Sequence, residues 1–219
     1  MKNNFSFVYK VRPKPPECLL KLDPIYDNVD FEPAKELENW IWDTFIDSNS
    51  PLHNPDHDHL TYFGSRFFKV LWASAAFIKA GQVVLGQTER VMFRAGGWQK
   101  MRQERQMINW FGYIPEYVIT IDARYASECS DIDFCALIEH ELYHIGVKRT
   151  DEGDMILSPI TGMPKHYLRG HDVEEFHGVV GRYGANDAVQ HMVDLANAGP
   201  TISKAKIAHA CGTCLLKLA

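Results

Sequence analysis

Apolar residues recur every three or four positions in several parts of the chain, which is the spacing of an amphipathic helix. The clearest case is 32–47, where a proline suited to a first helical turn precedes the apolar positions. Residues 65–80 form a more continuous apolar run that stops at Gly81, which predicts a buried helix. Helices are also predicted at 98–111, with its charges on a solvated face, and at 186–198.

Strands are predicted where apolar and polar positions alternate, or where glycine separates short apolar runs. The segment 116–125 alternates in this way, and 82–97 contains strand-like pieces punctuated by glycine. The segment 130–146 begins with two candidate helix caps, Ser130 and Asp131, and is predicted to be a helix. The order of helices, strands and further helices indicates an α+β fold.

The chain is predicted to form one domain, residues 32–219, preceded by an extended arm, residues 1–31. Several prolines in the arm favour extended or turn conformations: Pro13, Pro15, Pro16 and Pro24. With 219 residues the chain is long enough to bury a substantial apolar core, and it contains no internal repeat.

Composition and charge narrow the class of protein. The hydrophobic fraction of 46% and the charged fraction of 23% are typical of a folded globular chain. A net charge of -5 gives no general affinity for polyanions, so nucleic acid is not a predicted partner. No run approaches the roughly 20 apolar residues that cross a bilayer, and no signal-peptide stretch is present, which favours a cytoplasmic protein. Five cysteines without a regular spacing fit reduced thiols.

The most specific motif is HELYH, residues 140–144. Its two histidines lie one helical turn apart, so both rings can reach one metal ion. With His140 at 0° and about 100° per residue, His144 falls at roughly 40° and Glu141 at roughly 100°, while the apolar positions fall on the opposite side. The helix can therefore bury one face and present these three side chains to a cleft. The alternative is that chance and packing placed the histidines four residues apart.

A zinc site needs a third protein ligand, and a catalytic one leaves a further position for water. The segment GHDVEEF (170–176), within a helix predicted at 170–184, offers His171 and Glu175 on one helical face. We favour His171 as the ligand, with Glu175 as the alternative. His171 and Asp172 at the start of this helix also fit simple helix capping.

HELYHIG followed by GHDVEEF resembles the putative phage metallopeptidase family and, more distantly, SprT-like zincin peptidases. In these relatives the HExxH histidines and a later histidine hold zinc, which transfers to His140, His144 and His171. The HExxH glutamate is the general base, which transfers to Glu141. Zincins also place an edge strand beside the active-site helix to pair with an extended peptide, and YVITIDA (117–123) fits that role.

The resemblance implies a zincin-like fold, with the active-site helix beside a small mixed or antiparallel sheet and with additional helices. It further implies a zinc-dependent peptidase that acts on a protein or peptide in the cytoplasm of the phage's host. Two rival functions stay open, namely a zinc hydrolase of a non-peptide bond and a non-catalytic zincin-fold module that sequesters a host protein. Four side chains are candidates to stabilise the oxyanion of the reaction: Tyr143, Tyr167, Arg169 and Tyr183.

Two weaker patterns could also bind metal. HNPDHDH (53–59) is rich in histidine and aspartate, although a solvated polar loop is the simpler interpretation. Near the C-terminus, Cys211 and Cys214 form half of a zinc ribbon together with His209, and the other half is not evident in the sequence.

Overall fold

The computed structural model describes residues 11–23, 27–79, 81–173 and 184–203, and these residues form a mixed α+β fold, as predicted. The strands are β1 (Phe31–Pro33), β2 (Phe68–Ala73), β3 (Phe77–Lys79), β4 (Gln82–Val84), β5 (Gly86–Arg90), β6 (Tyr117–Asp122), β7 (Ile145–Val147) and β8 (His166–Leu168). The α-helices are α1 (Glu17–Lys21), α2 (Lys35–Ile41), α3 (Gly97–Phe111), α4 (Ala123–Glu128), α5 (Asp131–Tyr143) and α6 (Asp187–Ala198).

Four strands form the main sheet in the order β1, β2, β6, β5. Strands β2 and β6 are parallel, whereas β1 and β5 run antiparallel to their neighbours. Two small antiparallel hairpins, β3 with β4 and β7 with β8, accompany this sheet. The sheet is therefore mixed, and within the described residues β5 lies at one of its edges.

One face of the sheet packs against α2 and α5. The ring of Phe134 in α5 lies 5.8 Å from Trp40 in α2 and 6.3 Å from Trp72 in β2, measured between ring centroids. Leu137 in α5 lies directly below β5 at Gly86. This arrangement fixes the helix that carries HELYH against the edge strand of the sheet.

The prediction of a helix at 65–80 is wrong, because this segment contains β2 and then β3. All six residues of β2 are buried. The strand has neighbours on both sides and is covered on both faces, so its sequence is continuously apolar rather than alternating. A short apolar run of this kind does not distinguish a buried strand from a buried helix.

The prediction of an edge strand at 117–123 is also wrong. Strand β6 pairs with β2 on one side and with β5 on the other, so it lies in the interior of the sheet. The side chains of β6 alternate between the two faces of the sheet, both of which are covered. This alternation does not show whether a strand has one neighbouring strand or two. The edge strand beside α5 is β5.

The first predicted helix begins later than expected. Residues 31–33 pair with β2, and the helix starts at Lys35, continuing beyond Ile41 as a π-helical turn at Trp42–Ile46. The arm is not wholly extended, since α1 is helical and Leu19 within it is only 1% exposed in the core. The domain boundary at residue 31 stays a prediction.

Two predicted helices are confirmed with small shifts of their ends, as α3 and α6. Neither contains a buried residue, which agrees with a solvated charged face for α3. No helix among the described residues combines the length and apolar character required to cross a membrane. In the helix predicted at 170–184, residues 171–173 are not helical, and 174–183 lie outside the described residues.

Candidate metal centre

Helix α5 positions the HELYH motif. The predicted cap Ser130 accepts a hydrogen bond from the backbone N–H of Asp133 at 3.1 Å, which satisfies a donor of the first turn. Ile138 and Leu142 on the core face are fully buried, whereas His140 is only partly buried. The helix ends at Tyr143, so His144 lies at its C-terminal boundary.

The hairpin formed by β7 and β8 returns the chain to the end of α5. Ile145 pairs with Leu168, and the next residue, Arg169, donates its N–H to the carbonyl oxygen of His144 at 2.8 Å. A Cβ atom at Gly146 would lie 3.0 Å from the ring of Tyr167, so a residue without a side chain suits this close approach. The pairing brings the residues after β8 beside the HELYH histidines.

His140, His144 and His171 converge at this point. One ring nitrogen from each lies within 4.8 Å of the others, and the Nε2 atoms of His140 and His171 are 3.2 Å apart. The ring centroids are separated by 5.0 to 5.4 Å. Within the described part of the chain, this is the group of side chains with the geometry of a metal site. The alternative ligand Glu175 lies outside that part.

The surroundings of His140 favour a neutral imidazole, and a hydrogen bond fixes the ring of His144. Burial, together with the neighbouring histidines His144 and His171, lowers the pKa of His140 to about 4. His144 is 2% exposed, and its Nδ1 lies 2.7 Å from the carbonyl oxygen of Arg169, which accepts a hydrogen bond from the ring. That bond fixes the ring orientation and leaves Nε2 as the atom for coordination.

The donor set fits a zinc ion. Zinc binds imidazole nitrogen at about 2.0 to 2.1 Å in tetrahedral geometry, so two such nitrogens lie about 3.3 to 3.4 Å apart. The observed separation of 3.2 Å between the Nε2 atoms of His140 and His171 is close to this value. Three histidine ligands also leave one tetrahedral position for water or substrate.

Glu141 lies on the side of α5 that faces β5. It is fully buried, and the Thr88 hydroxyl lies 2.9 Å from its Oε2 and 2.8 Å from its carbonyl oxygen. Gly86 approaches so closely that a Cβ there would lie 2.8 Å from Oε1 of Glu141. Neither Thr88 nor Gly86 was expected at the site, since nothing in the sequence connects β5 with residues more than fifty positions away.

The candidates for oxyanion stabilisation have other partners. The Tyr143 hydroxyl donates to Asp56 at 2.7 Å and accepts from Asn54 at 3.0 Å, which ties it to the preceding 3₁₀-helix, Pro55–Tyr62. The Arg169 guanidinium binds Asp172 at 2.6 Å. Tyr167 packs its ring over Gly146, and Tyr183 lies outside the described residues.

The segment 53–59 is not a solvated loop. Most of it belongs to the 3₁₀-helix, and both His57 and His59 are buried. The two ring nitrogens of His59 lie 2.9 and 2.7 Å from the carbonyl oxygens of Asp56 and Ile145, which fastens this helix to the end of α5. His209, Cys211 and Cys214 fall outside the described residues.

A polar cleft lies beside β7 and β8, and none of the three histidines lines it. Its volume is about 540 Å³, and it is bordered by Tyr143, Tyr167, Arg169 and Asp172, which flank His144 and His171 in the sequence. His171 itself is exposed, so the group of three histidines is open to solvent on the side of this residue.

Comparison with known proteins identifies a family. The model of the family described as putative phage metallopeptidase matches residues 38–197, which include α5 and the third histidine. Neither a curated protein nor a solved structure matches the chain.

Proposed function

Because the chain belongs to the putative phage metallopeptidase family, we propose that it is a zinc-dependent peptidase with a zincin-like arrangement of its site. In this proposal His140, His144 and His171 hold the ion, and Glu141 is the general base. The observation that carries the proposal is the convergence of the three imidazoles, with ligand atoms within 4.8 Å of one another, at the end of the helix that contains Glu141.

The residues of the site have separate tasks in this reaction. Bound zinc would supply Lewis acidity, which polarises the scissile carbonyl and makes a water molecule more acidic. Glu141 accepts a proton from the attacking water and delivers it to the leaving amine. Thr88 orients the Glu141 carboxylate through its hydroxyl. Arg169 orients the His144 ring through its carbonyl oxygen.

Strand β5 is suited to hold an extended peptide. Just before β5, Leu85 accepts a hydrogen bond from the N–H of Asp122. Just after β5, Val91 donates a hydrogen bond to the carbonyl oxygen of Glu116. The odd-numbered residues from 85 to 91 therefore direct their backbone N–H and C=O groups towards β6. By the alternation of an antiparallel ladder, Gly86 and Arg90 direct theirs towards the outer edge. A peptide added at this edge would lie beside Glu141, which supports peptides over other substrates.

The substitution Gly86→Ala is expected to lower peptidase activity at least about tenfold, because the new methyl group would displace the Glu141 carboxylate. The matched control is Gly96→Ala, since a Cβ at that position meets no atom within 4 Å. Initial rates on one peptide, measured at equal zinc content, test this prediction. Equal rates for the two variants would contradict the assigned position of Glu141.

Removal of the metal tests the function as a whole. A chelator such as 1,10-phenanthroline is expected to abolish cleavage of an unstructured protein such as casein, and zinc is expected to restore it. Cleavage that persists after zinc has been removed would contradict the proposal. A zinc-loaded chain that cleaves neither casein nor a broad peptide library would favour a binding module instead.

A further inference from the structure

A second cavity lies on the face of the main sheet opposite α5. Its volume is about 290 Å³, and its walls come from the sheet and from the hairpin of β3 and β4. Most of its lining is apolar, including Phe31, Phe77, Val84 and Leu85. Two carboxylates, Glu89 and Asp122, also line it. We call this cavity the outer pocket.

The hairpin beside the outer pocket exposes several large apolar side chains. Phe77 (47% exposed) and Val29 (45% exposed) line the outer pocket. Ile78 (74% exposed) and Val83 (48% exposed) lie on the opposite side of the hairpin, because successive side chains of a strand alternate between its faces. Single exposed apolar residues are common, but a group that borders an apolar cavity indicates a binding surface. The surface continues directly into β5, which begins two residues after Val84.

The two carboxylates of the outer pocket differ in their partners. Asp122 caps α4 by accepting hydrogen bonds from the N–H groups of Arg124 and Tyr125. Glu89 has the amide of Gln87 at 3.5 Å, and no cation of the described residues forms an ion pair with it. Glu89 is exposed as a whole residue, and partial desolvation of its carboxyl by the surrounding atoms raises the carboxyl pKa above its ordinary value. Glu89 is therefore the group whose charge a cationic ligand would compensate.

The outer pocket and the metal centre lie on opposite faces of the same edge strand. The side chain of Thr88 faces Glu141, and so would a Cβ atom at Gly86, whereas Glu89 faces the outer pocket. Side chains of an extended peptide also alternate between two faces. A peptide paired along β5 would thus direct one side chain towards α5 and the next towards the outer pocket.

We propose that the outer pocket is a substrate subsite that takes a lysine or arginine side chain of an extended peptide with apolar neighbours. The aliphatic stem of such a side chain packs against the apolar walls, and its charged end pairs with Glu89. Apolar residues on either side of it contact Phe77 and Val29. This inference rests on the proposed peptidase function, because it assumes a peptide along β5.

Binding to the zinc-loaded, full-length Glu141→Gln chain tests the subsite without cleavage. Two fluorescent peptides are compared by anisotropy, one with a central lysine between apolar residues and one with glutamine in its place. The lysine peptide is expected to bind about two- to fivefold more tightly. Adding Glu89→Gln should remove this preference, whereas adding Glu128→Gln, an exposed glutamate in α4, should retain it.

A second variant tests the apolar part of the surface. Phe77→Ser changes a side chain that lines the outer pocket and is 47% exposed, and it is expected to weaken the binding of both peptides by a similar factor. Equal affinity of the two peptides, or a lysine preference that persists in Glu89→Gln, would overturn the subsite. If the chain with Glu141 cleaves casein without such a preference, the subsite fails and the peptidase function stands. If the chain with Glu141 cleaves no substrate, and the lysine preference still depends on Glu89, the peptidase function fails and the outer pocket remains a peptide-binding site.

Discussion

The substitution Glu141→Gln is expected to lower the rate of peptide hydrolysis by about 10²- to 10⁴-fold, while zinc content and thermal stability stay close to native values. Glutamine has the same shape and still accepts a hydrogen bond from Thr88, so the packing against β5 is retained. It cannot accept a proton from water, so the step assigned to the general base is lost.

Initial rates at saturating zinc measure this effect, with metal analysis of the same samples. The matched control is Glu128→Gln, which makes the same chemical change on the exposed surface of α4. Native activity in Glu141→Gln would contradict the assigned base. Loss of zinc in that variant would instead indicate that the carboxylate supports the metal site.

The substitution His144→Ala is expected to remove the metal and also to destabilise the metal-free fold by about 1 to 3 kcal/mol. His144 is 2% exposed, and its ring donates to the carbonyl oxygen of Arg169, so alanine leaves a cavity and a carbonyl without this donor. The matched variant is His171→Ala, because His171 is exposed and its loss should cost metal with little change in the metal-free stability.

Urea denaturation of the metal-free proteins measures the free energy of unfolding of each variant. The comparison separates the two functions of these histidines, since both variants should lose zinc but only His144→Ala should lose stability. Equal stability of the two metal-free variants would contradict a structural part for the bond between His144 and Arg169.

The sequence predicted those parts of the site that depend on short-range pattern. The position of HELYH on a helix follows from its period and from the cap at Ser130, and the structure places α5 at 131–143. The prediction of His171 as a ligand rests on the GHDVEEF segment and the family resemblance; the residue lies beside His140, although residues 171–173 do not form the predicted helix. Such features are visible because residues three or four positions apart share one face of a helix.

The parts that were missed depend on pairing between distant segments. The sequence of β2 is equally compatible with a buried helix, and only its two neighbouring strands explain why all six residues are buried. The sequence of a single strand does not determine its position in the sheet, so the alternating pattern of β6 fits an edge strand as well as an interior one. The contact of Thr88 with Glu141 follows from the order of the strands and was therefore also missed.

The central claim is that His140, His144 and His171 hold one metal ion, and metal content per chain tests it most directly. The native protein, purified without chelators, is expected to contain about one zinc ion per chain. His140→Ala and His171→Ala should each reduce this to near zero, whereas His191→Ala, on exposed helix α6, should not. Absence of metal from the native protein after reconstitution with zinc, or full zinc content in His171→Ala, would contradict the account.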